Sequence, residues 1–497
     1  VIASFKDRRG EIVHQLDDAA ARLGLKKAED DALLDEVTGL VECPNVLAGE
    51  FEREFLEVPN ECLILTMKAN QKYFPLLDVG GKLSNKFLIV SNIHPADASQ
   101  IISGNERVLR SRLADAQFFF DQDRKKTLAS RVEGLREVVY HHKLGTLAER
   151  VERIWAIAQA IGLELDGNEL AAKAGEAAML CKADLLTGMV AEFPELQGIM
   201  GRYYSLHDGV AEDVADAIED HYKPRFAGDV LPRNRVGVCI ALADRLESLV
   251  GMFGIGQIPT GDKDPFALRR HALGLIRILI ERELPLALDA LLEQVLSIFG
   301  NRINNPTPVL TDFIYERIRH LFGEAYQDQS SSGCSQGSDI ANSRVQLYSP
   351  QQIDAVLALR PRRLHDVKKR LDAVRAFAAL PEAESLAATN KRVGNILKKA
   401  GVSGEKRVDS KLLQAPAERA LYAALARIVP EADADFEAGD YSSSLQILAA
   451  LKQPVDEFFD HVMVNTEDET LRNNRLALLA TLRVAMNRVA DISRLAV

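Results

Sequence analysis

The chain has 497 residues, of which 47% are hydrophobic and 27% are charged, which excludes a wholly disordered or collagen-like protein. A net charge of −11 excludes a uniformly basic nucleic-acid coat, although a local basic patch is compatible with it. No apolar run approaches the roughly 20 residues of a membrane span. The five cysteines lack CxxC spacing, so we expect a cytoplasmic protein without a disulfide framework.

Residues 1–125 predict a small sheet flanked by helices. Apolar positions at helical spacing cover residues 1–37, and two short apolar runs follow at 63–67 and 87–90. The segment 78–82 between the two runs reads DVGGK, which is typical of a hairpin turn because glycine accepts positive φ. The chain opens on Val1 in what reads as the middle of a helix, so we expect the natural protein to begin earlier.

Three arginines, Arg107, Arg110 and Arg112, fall within two turns of the next predicted helix. Guanidinium groups bind phosphate oxygens in a two-pronged geometry, so these side chains are candidates for contact with a nucleic acid. The alternative is a solvated or salt-bridged helix face, for which nearby aspartates supply partners.

Residues 126–300 predict a helical domain whose layout resembles the HD superfamily of metal-dependent phosphohydrolases. That superfamily binds a divalent metal through a His, an adjacent His-Asp pair and a further Asp. Residues 181–184 read Cys-Lys-Ala-Asp here, and Asp184 and Asp244 are the remnants of the ligand set. The ammonium of Lys182 at the position of the His-Asp pair would repel a cation, and the single carboxylate of Asp244 does not make a site. We therefore expect a degenerate HD-like domain without metal, and an active phosphohydrolase is the alternative.

Residues 301–380 predict a helical linker. Within it, residues 327–343 read QDQSSSGCSQGSDIANS and contain almost no apolar side chain. Such a segment cannot contribute to a packed core, so we predict a flexible loop.

Residues 381–497 predict a helical domain with a basic surface. Its basic and amide candidates for contact with a nucleic acid are Lys391, Arg392, Asn395, Lys398, Lys399, Arg472 and Arg475. Such groups on the helices of an acidic protein suit a phosphate backbone, and Asn and Arg also read unstacked bases. An ordinary amphipathic helix face is the alternative.

Several stretches closely resemble the beta subunit of bacterial heterotetrameric glycyl-tRNA synthetase. They are GNERVLRSRLADAQFFF (Gly104 to Phe120), HHKLGTLAERVERI (His141 to Ile154), CKADLLTGMVAEFPELQGIMGRYYSLHDG (Cys181 to Gly209), ALADRLESLVGMFGIGQIPTGDKDPFALRRHALG (Ala241 to Gly274) and NKRVGNILKKAG (Asn390 to Gly401). The ending, from Pro454 to Leu476, resembles the DALR-type anticodon-binding domain. The matches run in order along nearly the whole chain.

The resemblance implies a mainly α, multidomain protein with a smaller α+β module. Residues 1–125 resemble the B3/B4 modules of phenylalanyl-tRNA synthetase, 126–300 the degenerate HD-like domain, and 381–497 the DALR-type domain. It further implies that the alpha subunit uses ATP and Mg²⁺ to attach glycine. The beta subunit binds tRNA(Gly) and has no cofactor or catalytic residue of its own.

In this interpretation the candidates at 391–399, Arg472 and Arg475 meet the anticodon arm, and Arg107, Arg110 and Arg112 meet the acceptor side or brace the domains. A stand-alone tRNA-binding scaffold without a synthetase partner is a further alternative.

Overall fold

The computed structural model describes residues 1–323, 347–402 and 407–496. The chain forms two compact units. The first comprises residues 1–155, 172–222 and 232–240, and the second comprises residues 156–171, 223–231 and the chain from 241 onward. The predicted loop at 327–343 lies outside the described residues. The domain boundaries predicted near 125, 300 and 380 stay predictions.

The elements of the first 146 residues include a sheet and its flanking helices. They are α1 (Phe5–Arg22), β1 (Lys26–Lys27), α2 (Asp31–Leu40), β2 (Asn45–Glu50), α3 (Asn60–Gln71), β3 (Phe74–Leu77), β4 (Leu83–Ser91), α4 (Ser99–Asp123), α5 (Leu128–Arg131), β5 (Val139–His141) and β6 (Gly145–Thr146).

The named secondary-structure elements of the described residues after 146 are all helices, joined by turns and loops. Up to residue 323 the α-helices are α6 (Leu147–Asp166), α7 (Asn168–Leu180), α8 (Gly188–Glu192), α9 (Ile199–His207), α10 (Glu212–Asp220), α11 (Arg235–Gly254), α12 (Leu268–Glu281), α13 (Leu288–Phe299) and α14 (Thr307–Gly323). After residue 346 they are α15 (Pro350–Leu357), α16 (His365–Ala378), α17 (Ala383–Lys399), α18 (Pro416–Glu437), α19 (Tyr441–Leu448), α20 (Lys452–His461) and α21 (Glu469–Met486).

The larger sheet of the first unit is antiparallel with strand order β1-β3-β4-β2, and β5 and β6 pair in a separate two-stranded sheet. The β3–β4 turn falls at 78–82 as predicted. The Asp78 carboxylate accepts from the amides of Gly80 (2.8 Å) and Lys82 (2.9 Å), and Gly81 adopts a φ of +80°. One face of the sheet packs on α1 and α2 through a core that includes Ile12 and Leu88.

The sheet confirms half of the predicted strand pattern. Residues 87–90 lie in β4, but the apolar run at 63–67 forms the middle of α3. Prediction of a strand there was wrong because a five-residue apolar run carries no periodicity of its own. The buried side chains Cys62, Leu63, Thr66 and Met67 follow the helical spacing of three to four residues.

The mainly helical architecture is confirmed, and two small antiparallel sheets are the β component of the described residues. None of the helices in the described ranges combines the length and the apolar character that a bilayer crossing demands.

Candidate nucleic-acid interface

A pocket of about 800 Å³ lies between α17 and α21 in the second unit. Cationic, amide and apolar side chains line it together. They are Leu359, Lys391, Gly394, Asn395, Leu397, Lys398, Gly401, Val402, Ala480, Arg483, Val484, Asn487, Asp491 and Ser493.

The sequence of α17 explains how the pocket wall forms. Leu386, Val393 and Leu397 are buried at spacings of four and seven residues, which fixes the rotation of the helix about its axis. The exposed residues Lys391 and Asn395 stand four positions apart on a neighbouring stripe, with Lys398 one turn further on. Both lysine heads and the Asn395 amide therefore border the pocket.

Three of the residues predicted on α17, Lys391, Asn395 and Lys398, meet in this pocket, and two do not. The Arg392 guanidinium instead lies over the ring of Phe459, 4.4 Å from its centroid, and Lys399 is exposed at the end of the helix. Lys391 Nζ also lies 3.5 Å from the carbonyl oxygen of Ala496.

The two predicted arginines of α21 lie outside the pocket. Arg475 is 14% exposed, and its guanidinium forms an ion pair with Glu418, which is 1% exposed. Arg475 Nη1 also donates to the carbonyl oxygen of Met463 at 2.8 Å. Arg472 is half-exposed beside Glu469, with 3.8 Å between guanidinium and carboxylate. The Arg475 guanidinium is thus bonded to partners within the protein, Glu418 and Met463.

Arg107, Arg110 and Arg112 belong to α4 in the first unit, and all three are exposed. Arg110 donates to the Glu52 carboxylate at 2.5 Å. Neither Arg107 nor Arg112 forms an ion pair with another residue in the described parts of the chain. An anion can therefore reach Arg107 and Arg112 without displacing a carboxylate, whereas at Arg110 it would have to displace Glu52.

Arg483, one of the basic residues of the terminal helix, also lines the pocket, although it was not among the residues predicted to contact tRNA. Its guanidinium lies so close to α17 that a Cβ built on Gly394 would stand 3.0 Å from Arg483 Nη1. What distinguishes Arg483 is its contact with a glycine on another helix. Residue spacing along the sequence does not reveal contacts between helices. A basic neighbour, Arg488, is instead paired with Asp433 at 3.1 Å and Glu437 at 2.6 Å.

The two predicted remnants of a metal site are both buried. Asp184 Oδ2 accepts from the amides of Gly198 (2.6 Å) and Gly201 (3.2 Å), and burial raises the pKa of this carboxyl to about 6. Asp244 is buried on α11. Neither belongs to a group of three potential metal ligands within the residues that the structure describes.

Lysine 182 is buried beside the first of these carboxyls. Lys182 Nζ lies 2.7 Å from His221 Nε2, and His221 Nδ1 lies 2.6 Å from the carbonyl oxygen of Ile218. This places the imidazole proton on Nδ1 and lets Nε2 accept from the ammonium. Lys182 and His221 therefore fix each other's positions in the interior of the first unit.

Comparison with known proteins gives two family matches. A family model described as glycyl-tRNA synthetase beta subunit matches residues 1–332, and one described as DALR anticodon binding domain matches residues 386–492. The second match includes the α17 residues of the pocket and Arg483.

Full-length relatives agree with the family matches. The whole chain is 63% identical to the glycine–tRNA ligase beta subunit of Delftia acidovorans and covers 68% of that protein. It is 64% identical to the corresponding subunit of Polaromonas naphthalenivorans and covers 67% of it.

Proposed function

This chain belongs to the glycyl-tRNA synthetase beta-subunit family, and from that premise we propose that it holds tRNA(Gly) for aminoacylation by a partner alpha subunit. The observation that carries the proposal is the pocket between α17 and α21, because it lies in the segment that matches an anticodon-binding domain. The alpha subunit contributes the aminoacylation site with its ATP and Mg²⁺.

Local electrostatics support this role. The whole chain has a net charge of −11, yet Lys391, Lys398 and Arg483 converge on one pocket. The acidic residue of its lining, Asp491, is bonded to Ser493 Oγ (2.6 Å) and Arg494 Nε (3.3 Å). A cluster of cations on a negative protein repels its own members and gains free energy when phosphates approach.

The contribution to catalysis is positioning. Binding of the anticodon arm by this subunit restricts the orientations that the tRNA 3′ end can adopt at the alpha subunit. Less orientational entropy then has to be lost on the way to the transition state, so aminoacylation is faster. No residue of this chain is assigned a role in bond making or breaking.

The remaining regions take supporting roles in this proposal. Residues 1–125 form the B3/B4-like module, 126–300 the degenerate HD-like domain, 301–380 the linker and 381–497 the anticodon-binding domain. Arg107 and Arg112 meet the acceptor side of the tRNA. The complex works in the cytoplasm, where its tRNA is.

The test is glycylation of tRNA(Gly) by an alpha subunit with and without this chain, beside the Delftia acidovorans beta subunit as reference. Lys391→Glu/Lys398→Glu is expected to weaken tRNA binding at least tenfold, because it reverses two phosphate-facing charges. The control Lys6→Glu/Arg22→Glu changes net charge equally on exposed positions of α1 and should stay within twofold.

Direct binding of labelled tRNA(Gly) to this chain separates recognition from assembly. Equal glycylation with and without the beta chain would contradict the proposed function. Equal losses in the pocket variant and the α1 control would show that net charge, rather than this pocket, determines the affinity.

A further inference from the structure

We propose that the pocket between α17 and α21 receives one unpaired nucleotide of the tRNA, with Arg483 as the residue that binds its phosphate. This inference deepens the proposed function and rests on it. It assigns the central contact to a residue outside the basic run of α17.

Arg483 has the geometry of an anion-binding residue. Its side chain lines the pocket and, among the described residues, has no hydrogen-bond or ion-pair partner. The carboxylate in the described lining, that of Asp491, is bonded to Ser493 and Arg494 rather than to Arg483. Lys391 and Lys398 lie about one turn to either side of Gly394, the residue that the guanidinium approaches. The planar fork binds two phosphate oxygens at once, whereas the lysines act as flanking point charges.

Gly394 makes this placement possible. A Cβ at this position would lie 3.0 Å from Arg483 Nη1 and 3.3 Å from its Cζ, which is tighter than ordinary contact. Gly394 lies inside α17, where a glycine weakens the helix relative to alanine. Its benefit here is the space that it leaves for the guanidinium.

The rest of the lining suits a base. Asn487 Oδ1 accepts from Asn390 Nδ2 (2.8 Å) and from the amide of Ile492 (3.2 Å), so its orientation is fixed and its Nδ2 is left as a donor. The exposed Asn395 amide stands on the opposite wall and offers both a donor and an acceptor. Apolar surface comes from Leu397 and Val484. Amides that read polar edges beside apolar surface for a ring are typical of sites for unstacked bases.

The size of the pocket selects an unpaired nucleotide. A volume of about 800 Å³ accommodates a nucleotide-sized ligand between two helices. A paired stem is too wide to enter and would touch the rim lysines alone. Single-stranded RNA should therefore depend on Arg483 more than double-stranded RNA does.

The experiment measures binding of labelled tRNA(Gly) to this chain over a range of salt concentrations. Arg483→Ala should raise the Kd about tenfold and reduce the slope of log K against log salt by about 1, because one phosphate contact is lost. Arg483→Lys should recover part of the affinity because it keeps the charge without the fork. Arg427→Ala is the matched control, since it removes an exposed arginine of α18 outside the pocket and should stay within twofold.

Gly394→Ala tests the same contact without removing a charge. Alanine is the better helix former, so the thermal unfolding midpoint should hold or rise, while displacement of the guanidinium raises the Kd about threefold. A lower affinity with an undiminished midpoint supports the proposal and excludes loss of folding as the cause. An unchanged affinity overturns the assignment of Arg483.

Two RNA probes test the unpaired nucleotide. An anticodon stem-loop of tRNA(Gly) should lose affinity for the Arg483→Ala variant, and a fully paired duplex of equal length should not. Equal losses for both probes would overturn the nucleotide pocket and leave Arg483 as a general surface cation. If Arg483→Ala has no effect but Lys391→Glu/Lys398→Glu does, this inference fails and the proposed function stands.

Discussion

Two arginines of the same helix, Arg475 and Arg483, have opposite surroundings. Arg475 is buried against the Glu418 carboxylate, and Arg483 borders an open pocket without a carboxylate partner among the described residues. Eight positions apart on α21, one guanidinium holds the fold together and the other is available to a ligand. The difference shows that the partner, rather than the residue type, decides what a basic side chain does.

Glu418 explains why the Arg475 site is structural. Its Oε2 accepts from the amides of Gln414 (2.7 Å) and Ala415 (3.0 Å) at the start of α18, while Oε1 accepts from Arg475. One carboxylate thus caps a helix and pairs with a cation from another helix. A carboxylate at a helix N-terminus also interacts favourably with the helix dipole.

The largest effect is expected at this ion pair. Arg475→Ala should lower the free energy of unfolding by about 3–5 kcal/mol, because it leaves a buried carboxylate without its cation. Arg483→Ala should change it by less than about 0.5 kcal/mol. Denaturant unfolding of the chain measures both, and similar losses would break the distinction between the two sites.

A second substitution checks the cause of that loss. Glu418→Gln in the Arg475→Ala background removes the uncompensated charge but keeps an oxygen for the amides at the start of α18. It should recover part of the stability. No recovery would mean that lost packing of the Arg475 stem, rather than a buried charge, destabilises the single variant.

The next effect concerns a buried carboxyl that lacks an ion-pair partner at hydrogen-bonding distance. Asp184 has two backbone donors on Oδ2 and none on its buried Oδ1, and burial raises its pKa from 3.8 to about 6. Because the pKa of Asp184 is raised in the folded state, protonated Asp184 contributes to the free energy of unfolding. This contribution is fully present below pH 3.8 and is lost as pH rises through about 6. Asp184→Asn should remove this loss.

The measurement is the difference in unfolding free energy between Asp184→Asn and the parent from pH 4 to pH 7. That difference should shift in favour of the variant by about 2–3 kcal/mol, the value that the pKa rise implies. Other titrating groups are common to both proteins and cancel. A difference that does not change with pH would show that folding does not raise the pKa of Asp184.

These contrasts mark how far the sequence could predict the molecule. The hairpin at 78–82 was predictable because consecutive glycines and a following lysine have a local turn signature. The basic residues of α17 were predictable as a group. Their division among the pocket, the Phe459 ring and solvent was not, because it depends on how α17 is rotated against its neighbours.

The roles of Arg475 and Arg483 could not be separated for the same reason. Both are arginines on one helix of an Ala- and Leu-rich domain. Glu418, which decides the role of Arg475, is 57 residues away in the sequence. Gly394, which leaves room for Arg483, lies on a different helix. Local patterns carry no information about contacts between helices far apart in the chain.

The smallest effect is expected at Arg392, which lies on α17 among the predicted basic residues but outside the pocket. Its guanidinium stacks on Phe459 at 4.4 Å, so Arg392→Ala should cost about 0.5–1 kcal/mol of stability through the lost cation–π contact. A double-mutant cycle with Phe459→Leu isolates that coupling. The change in tRNA affinity should stay within threefold because the pocket cations are untouched. Additive stabilities together with a tenfold loss of tRNA binding would instead place Arg392 with Lys391, Lys398 and Arg483 as a residue that contacts the ligand.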